Sequence, residues 1–156
     1  MELMVLSKGN NKYSVEDHKG RLLYTVKKKA FGQKFNLLDT NEYVLYTLAV
    51  TGDERKPAFI IILNDVTFLK MECKSLFLDP TLTAESKTMK YAIVSKDRKD
   101  FDIVLNDKTV GHIKTMYAVG GDLQYDIDIE NSAFDDYIPL FAVAVDKAFG
   151  EMNRTK

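Results

Sequence analysis

The sequence predicts an all-β domain, a closed antiparallel barrel of roughly eleven or twelve strands threaded by one hydrophobic C-terminal helix. Three observations carry that expectation. Segments 13–26 and 35–48 repeat one hairpin pattern at a constant offset of 22 residues. Much of the remaining chain alternates apolar and polar residues at period two. One segment near the end breaks that period and is apolar on every face.

In the repeat, Tyr13 matches Phe35, Val15 matches Leu37, Asp17 matches Asp39, Leu22 matches Val44, Tyr24 matches Tyr46 and Val26 matches Leu48. Spacing two within each arm places these side chains on one face of a strand. Between the arms stand Asp17-His18-Lys19-Gly20 and Asp39-Thr40-Asn41-Glu42. Asp and Asn side chains bond their own backbone and Gly supplies positive φ, so each unit reads as a β-hairpin. A weaker third copy runs over 101–113 around Asn106-Asp107. Further strand-like runs cover 58–63, 65–77, 88–95 and 123–129. They are separated by Asn64-Asp65, Leu78-Asp79-Pro80, Lys96-Asp97-Arg98 and Gly120-Gly121.

From Ser132 the pattern changes and predicts a helix over 137–149, with Asp136 as N-cap, Pro139 in the first turn and Gly150 closing the C-terminus. Ile138, Leu140, Phe141, Val143, Val145 and Phe149, with the alanines between them, cover every face, so the helix must be buried all round. About 13 residues at 1.5 Å each make about 20 Å, short of a bilayer core of about 30 Å but matched to the axis of a small barrel. A membrane-dipping tail is the rival reading. Interfacial helices keep a strongly charged face, whereas this one offers only Asp146 and Lys147.

Composition agrees with a folded domain. The 156 residues carry 22 Lys and Arg against 23 Asp and Glu, 46% apolar residues, nine Phe, eight Tyr and no Trp. That balance excludes a disordered tail or a collagen-like chain. One domain is expected across residues 1–156, large enough for a core without disulfides or a structural metal. A single cysteine, Cys73, and a start lacking a basic, apolar leader predict a cytoplasmic chain. No apolar run reaches the length of a membrane-spanning helix. Residues 1–34 carry eight Lys and Arg and three acids, net +5, whereas 100–136 carry two Lys and nine acids, net −7. Such asymmetry can steer partners, but the simpler reading is that the two segments are neighbours whose charges offset each other. No strongly basic footprint marks a nucleic-acid binder.

The duplicated aromatic-x-aliphatic-x-Asp hairpins, the many short strands and the final apolar helix ending Val145-Asp146-Lys147-Ala148-Phe149 together resemble the LURP-one-related branch of the tubby C-terminal-like superfamily, which also includes the phospholipid scramblases. The resemblance spans about 13–149 and is similar in length to bacterial members. It implies a twelve-stranded barrel around a central C-terminal helix, and a weak bias towards lipid contact. Tubby domains bind phosphoinositides through surface Lys and Arg, but their lipid-contacting positions do not map one by one onto this chain. The cysteine-rich and proline-rich region and the calcium-binding segment of scramblases are missing.

The strongest candidate contact is Lys27, Lys28, Lys29 and Lys34 around Phe31-Gly32. Four ammonium groups with an apolar tip suit anionic headgroups at roughly 1 kcal/mol per charge, although a run of three is shorter than the four to eight basic residues that mark lipid recognition. A solvated turn is therefore the simpler reading. Lys96, Arg98 and Lys99 form a second basic turn, weakened by Asp97 and Asp100. Asp126, Asp128 and Glu130 would share one strand face and are a weak metal candidate, without the glycine of a calcium loop. Cys73 shares a face with Leu69, Met71 and Phe77, which predicts burial rather than a reactive thiol. His18 and His112 fall in no metal or nucleophile motif, and no phosphate loop, nucleophile elbow or zinc signature occurs. The expectation is a non-enzymatic binding or scaffolding domain without catalytic residues or cofactors, peripheral at anionic phospholipid or phosphoinositide, or docked on a protein partner. The alternatives are a small-ligand barrel with an open lumen and a dispersed surface enzyme site.

Overall fold

The computed structural model describes residues 1–119 and 122–154, so the Gly120-Gly121 break lies outside the described residues. The strands are β1 (Glu2–Ser7), β2 (Lys12–Asp17), β3 (Leu22–Lys28), β4 (Lys34–Leu38), β5 (Val44–Val50), β6 (Ala58–Leu63), β7 (Val66–Ser75), β8 (Asp79–Glu85), β9 (Lys90–Ser95), β10 (Asp100–Leu105), β11 (Lys108–Tyr117) and β12 (Leu123–Ile129). Each pairs antiparallel with its neighbours in sequence, and β1 also pairs with β12, so twelve strands close into one up-and-down barrel. Alternation decides what faces inward: Val15, Val26, Phe35, Leu37, Ile61, Leu69, Leu82 and Ile93 are all fully buried.

The repeat survives as identical turn chemistry. Asp17 Oδ1 accepts the N–H groups of Lys19 and Arg21, and 22 residues on Asp39 Oδ1 accepts those of Asn41 and Tyr43, all at 2.9 to 3.0 Å. Gly20 has φ +80°, and its counterpart near the end of the second turn, Glu42, has φ +66°. A left-handed backbone costs a residue with a Cβ about 1 kcal/mol, and glycine nothing comparable. Glu42 also stands 3.6 Å from Lys27, but both side chains are exposed and such a pair contributes little. Glu42→Gly is expected to stabilise the domain by roughly 0.5 to 1 kcal/mol, a rise of a few degrees in Tm. A melting curve that moves down instead would show that the Lys27 pair outweighs the backbone strain.

Two strands, β1 and β8, lie outside the ranges read from the sequence. The break expected at Leu78-Asp79-Pro80 ends at Leu78, because Pro80 is the second residue of β8, where a missing N–H is tolerated. β7 stops at Ser75, so Phe77 leaves the face of Leu69, Met71 and Cys73 and is exposed, while those three stay buried. β9 starts at Lys90, two residues later than expected.

The axis of the barrel is filled by a 17-residue helix. It consists of α1 (Ile138–Val145), a π-helical turn (Asp146–Gly150) and α2 (Glu151–Arg154). Every residue of α1 is buried, as the all-round apolar pattern requires. The expected cap chemistry is overturned at both ends. Tyr137 occupies the N-cap, and the Asp136 carboxylate instead accepts the Tyr24 hydroxyl. Gly150 does not end the helix but makes room inside it: a Cβ there would stand 2.4 Å from Asp146 Oδ1 and 2.7 Å from Arg154 Nη1. The space holds a buried polar plug. Asp146 accepts the Tyr13 hydroxyl on Oδ2 at 2.5 Å, and on Oδ1 the Tyr125 hydroxyl at 2.5 Å and Arg154 Nη2 at 2.9 Å. Burial, reinforced by the Asp146 carboxylate, pushes both phenols far above their ordinary range. The lumen that a ligand-carrying barrel would keep open is thus occupied by α1 and this plug.

Candidate functional site

In an up-and-down barrel, successive turns alternate between the two ends. The turns at 8–12, 27–34, 51–57, 74–79 and 96–100, with residues 118, 119 and 122 between β11 and β12, therefore share one end, and the helix emerges there. Lys147 Nζ donates to Asn11 Oδ1 at 2.7 Å, Asn153 Nδ2 to the Arg98 carbonyl at 2.9 Å, and Arg154 Nε to Asp122 Oδ1 at 3.1 Å. This exit end, with helix residues 146–154, carries fourteen Lys and Arg against eight Asp and Glu. The opposite, entry end comprises 1–2, 16–21, 39–43, 64–65, 85–90, 106–108 and 130–137, and carries five Lys and Arg against eleven acids. Side-chain charge is thus +6 at one end and −6 at the other. The basic 1–34 and acidic 100–136 segments are neighbours along the β1–β12 seam, but the residues that face each other there, Met4 with Asp126 and Glu2 with Asp128, do not bring opposite charges together.

The four candidate lysines sit at the exit end. Lys27 and Lys28 finish β3, Lys29 opens the turn and Lys34 starts β4, with Lys29 N–H bonded to the Lys34 carbonyl at 2.8 Å. Gly32, at φ +76°, bends the chain beside an exposed Phe31. No acid occurs between Lys27 and Leu38. Lys27 leans back towards Glu42, 3.6 Å away, which leaves Lys29 and Lys34 the most outward of the set. Lys28 has the inward parity of Val26 and lies near Lys147 at the barrel mouth. Burial pushes the Lys147 ammonium below its ordinary range; Asp146 opposes that fall, and Arg154 and Lys28 add to it. Its Nζ also lies 4.8 Å over the Phe35 ring, a cation–π contact.

The second basic turn, Lys96, Arg98 and Lys99, shares this end. Asp97 is less a counter-charge than the turn's scaffold: its Oδ1 accepts the N–H groups of Lys99 and Asp100, both at 2.9 Å. Burial alone would raise the Asp97 pKa, but these bonds hold it below the ordinary carboxylate value. Lys8, Lys12, Arg55, Lys56, Lys74, Lys147 and Arg154 complete the basic rim and were not legible from any local run.

The acidic row lies on the barrel wall, and two of its three members face a lysine. Asp126 is opposite Lys114, Asp128 opposite His112, and Glu130 Oε1 is 3.3 Å from Lys108 Nζ. Among the described residues, no three His, Cys, Asp or Glu side chains gather as a metal ion requires. His112 Nδ1 is 2.7 Å from Asp102 Oδ1, on an exposed groove that also contains Ser95. Ser95 Oγ donates to Asp97 Oδ1 and accepts the Arg98 N–H. Cys73 is buried, and burial pushes its thiol up, away from a reactive thiolate. Among the described residues no helix is long and apolar enough to cross a membrane.

No curated protein sequence matches the chain. Among solved structures, the X-ray structure of a protein from Arabidopsis thaliana is similar over 97% of this chain and 90% of that one, with a TM-score of 0.60 at 17% identity, a likeness of fold. A family model described as LURP-one-related matches residues 1–146, the whole ring of strands and the helix as far as Asp146. With the closed barrel and its filled axis, that match places the chain in the LURP-one-related family.

Proposed function

We propose that this protein is a non-enzymatic, cytoplasmic binding domain that docks peripherally on anionic phospholipid, with Lys27, Lys28, Lys29 and Lys34 as its headgroup contact. The observation that supports this reading most is an acid-free turn of four lysines with an exposed Phe31 at its tip. A turn of this kind offers charge to phosphate and an apolar group to the layer beneath. The filled lumen argues against the small-ligand alternative, and a Ser95 hydroxyl already bonded to Asp97 and to the Arg98 N–H argues against its use as a nucleophile on the wall.

Co-sedimentation with liposomes tests the proposal. Vesicles containing an anionic phospholipid are expected to carry the protein down at low salt, and less of it at moderate salt, because the Debye length shrinks to about 8–10 Å. Purely zwitterionic vesicles are expected not to. Changing all four lysines to Glu should abolish the effect, at about 1 kcal/mol per lost contact. Equal binding to zwitterionic vesicles, or a charge-reversed protein that still sediments, would sink the headgroup assignment.

A further inference from the structure

Apolar side chains cap three different turns of the exit end. Phe31 in turn 27–34 is 89% exposed, Phe77 and Leu78 in turn 74–79 are 69% and 94% exposed, and Val119, just past the end of β11, is 107% exposed. These turns are far apart in sequence, and the up-and-down topology brings them to one rim among Lys29, Lys34, Lys96 and Arg98. The Arg98 guanidinium lies 5.4 Å from the Phe77 ring centroid, so charge and apolar surface are interleaved and not segregated. The entry end also exposes Leu22, Tyr43, Val44 and Val66, but among its excess of acids. Charge distinguishes the two ends, and the basic one matches an anionic surface.

Building on the lipid reading above, we propose that the whole exit end is the membrane-docking face and that the barrel stands on the bilayer. Phe31, Phe77, Leu78 and Val119 enter the boundary between headgroups and acyl chains, and the basic residues around them contact phosphates. The chain's net charge of −1 is no obstacle to this arrangement. Most strands have six or more residues, roughly 20 Å along the strand at about 3.3 Å each, so apart from Glu42, which reaches Lys27, most acids of the entry end lie more than a Debye length from the basic rim. The bilayer therefore senses mainly the nearer, positive end. Apolar tips then give the docking a component that salt does not screen.

The chain has no Trp, so single-tryptophan variants report depth without background. Phe31→Trp and Leu78→Trp probe the exit end, and Tyr43→Trp and Val66→Trp the entry end, each in the full chain with phosphatidylserine-containing vesicles whose acyl chains are brominated. A blue shift and quenching are expected at 31 and 78, and neither at 43 and 66. Phe31→Asp combined with Leu78→Asp is expected to weaken vesicle affinity on the order of tenfold or more with an unchanged melting temperature, since both sites are exposed. Sedimentation without quenching at 31 and 78, or with quenching at 43 or 66, would overturn this orientation while leaving the lipid reading standing. No sedimentation with anionic vesicles would overturn both and leave the basic end to an acidic protein partner.

Discussion

Replacing Val143 with aspartate is expected to leave no folded barrel in solution. Val143 is fully buried in the middle of α1, ringed by inward-facing strand residues. An unpaired carboxylate in such an interior costs several kcal/mol, a large share of the roughly 5–15 kcal/mol that stabilises an ordinary domain. Far-UV circular dichroism and size-exclusion chromatography of the variant would read the result directly. A variant that melts within a few degrees of the parent would mean that the helix is not enclosed.

The second large effect is expected from removing an aspartate that already sits in that interior. Asp146 lies about one turn beyond Val143 and is also buried, yet two phenols and a guanidinium surround its oxygens. Asp146→Ala would leave the Tyr13 and Tyr125 hydroxyls unsatisfied and Arg154 without its inner partner. The expected loss is about 3–5 kcal/mol, or a fall in Tm of roughly 10 °C. Tyr13→Phe alone should cost about 1 kcal/mol, but should be neutral or stabilising once Asp146 is alanine, because it then removes a buried hydroxyl that has lost its acceptor. Additive losses in that double-mutant cycle would show that the carboxylate and the phenol are not coupled. The same side chain is therefore expected to be ruinous at 143 and required at 146, and the difference lies wholly in its hydrogen-bond partners.

The hairpins were legible because two local signals agree there: period two in the arms and an Asp at each turn whose carboxylate binds the next N–H groups. The filled axis was legible because α1 has no polar face to give to water. Where tertiary partners compete with local chemistry, the sequence misleads. Asp136 has the look of a cap but bonds Tyr24, and Gly150 has the look of a terminator but clears space for Asp146 and Arg154. Tyr13 and Tyr125 meet Asp146 across 133 and 21 residues, a separation no local pattern encodes. The basic end was hidden by parity. Without β8, whose Pro80 and neighbouring threonines blur the alternation, an odd number of strands separates the Lys27 and Lys96 turns and puts them at opposite ends. Restoring β8 brings both to one rim.

A ring closed between its first and last strands also imposes an order on assembly. The β1–β12 seam joins residues more than a hundred positions apart, the kind of contact that forms late because its loop-closure entropy is large. The segment on which all twelve strands bury their inner faces is made after every one of them. A growing chain that has reached Tyr137 therefore holds a complete set of strands and nothing to wrap them around. The helix acts as the mandrel of the fold, and cutting the chain before Ile138 would release not a smaller barrel but an unrolled apolar sheet, open to self-association.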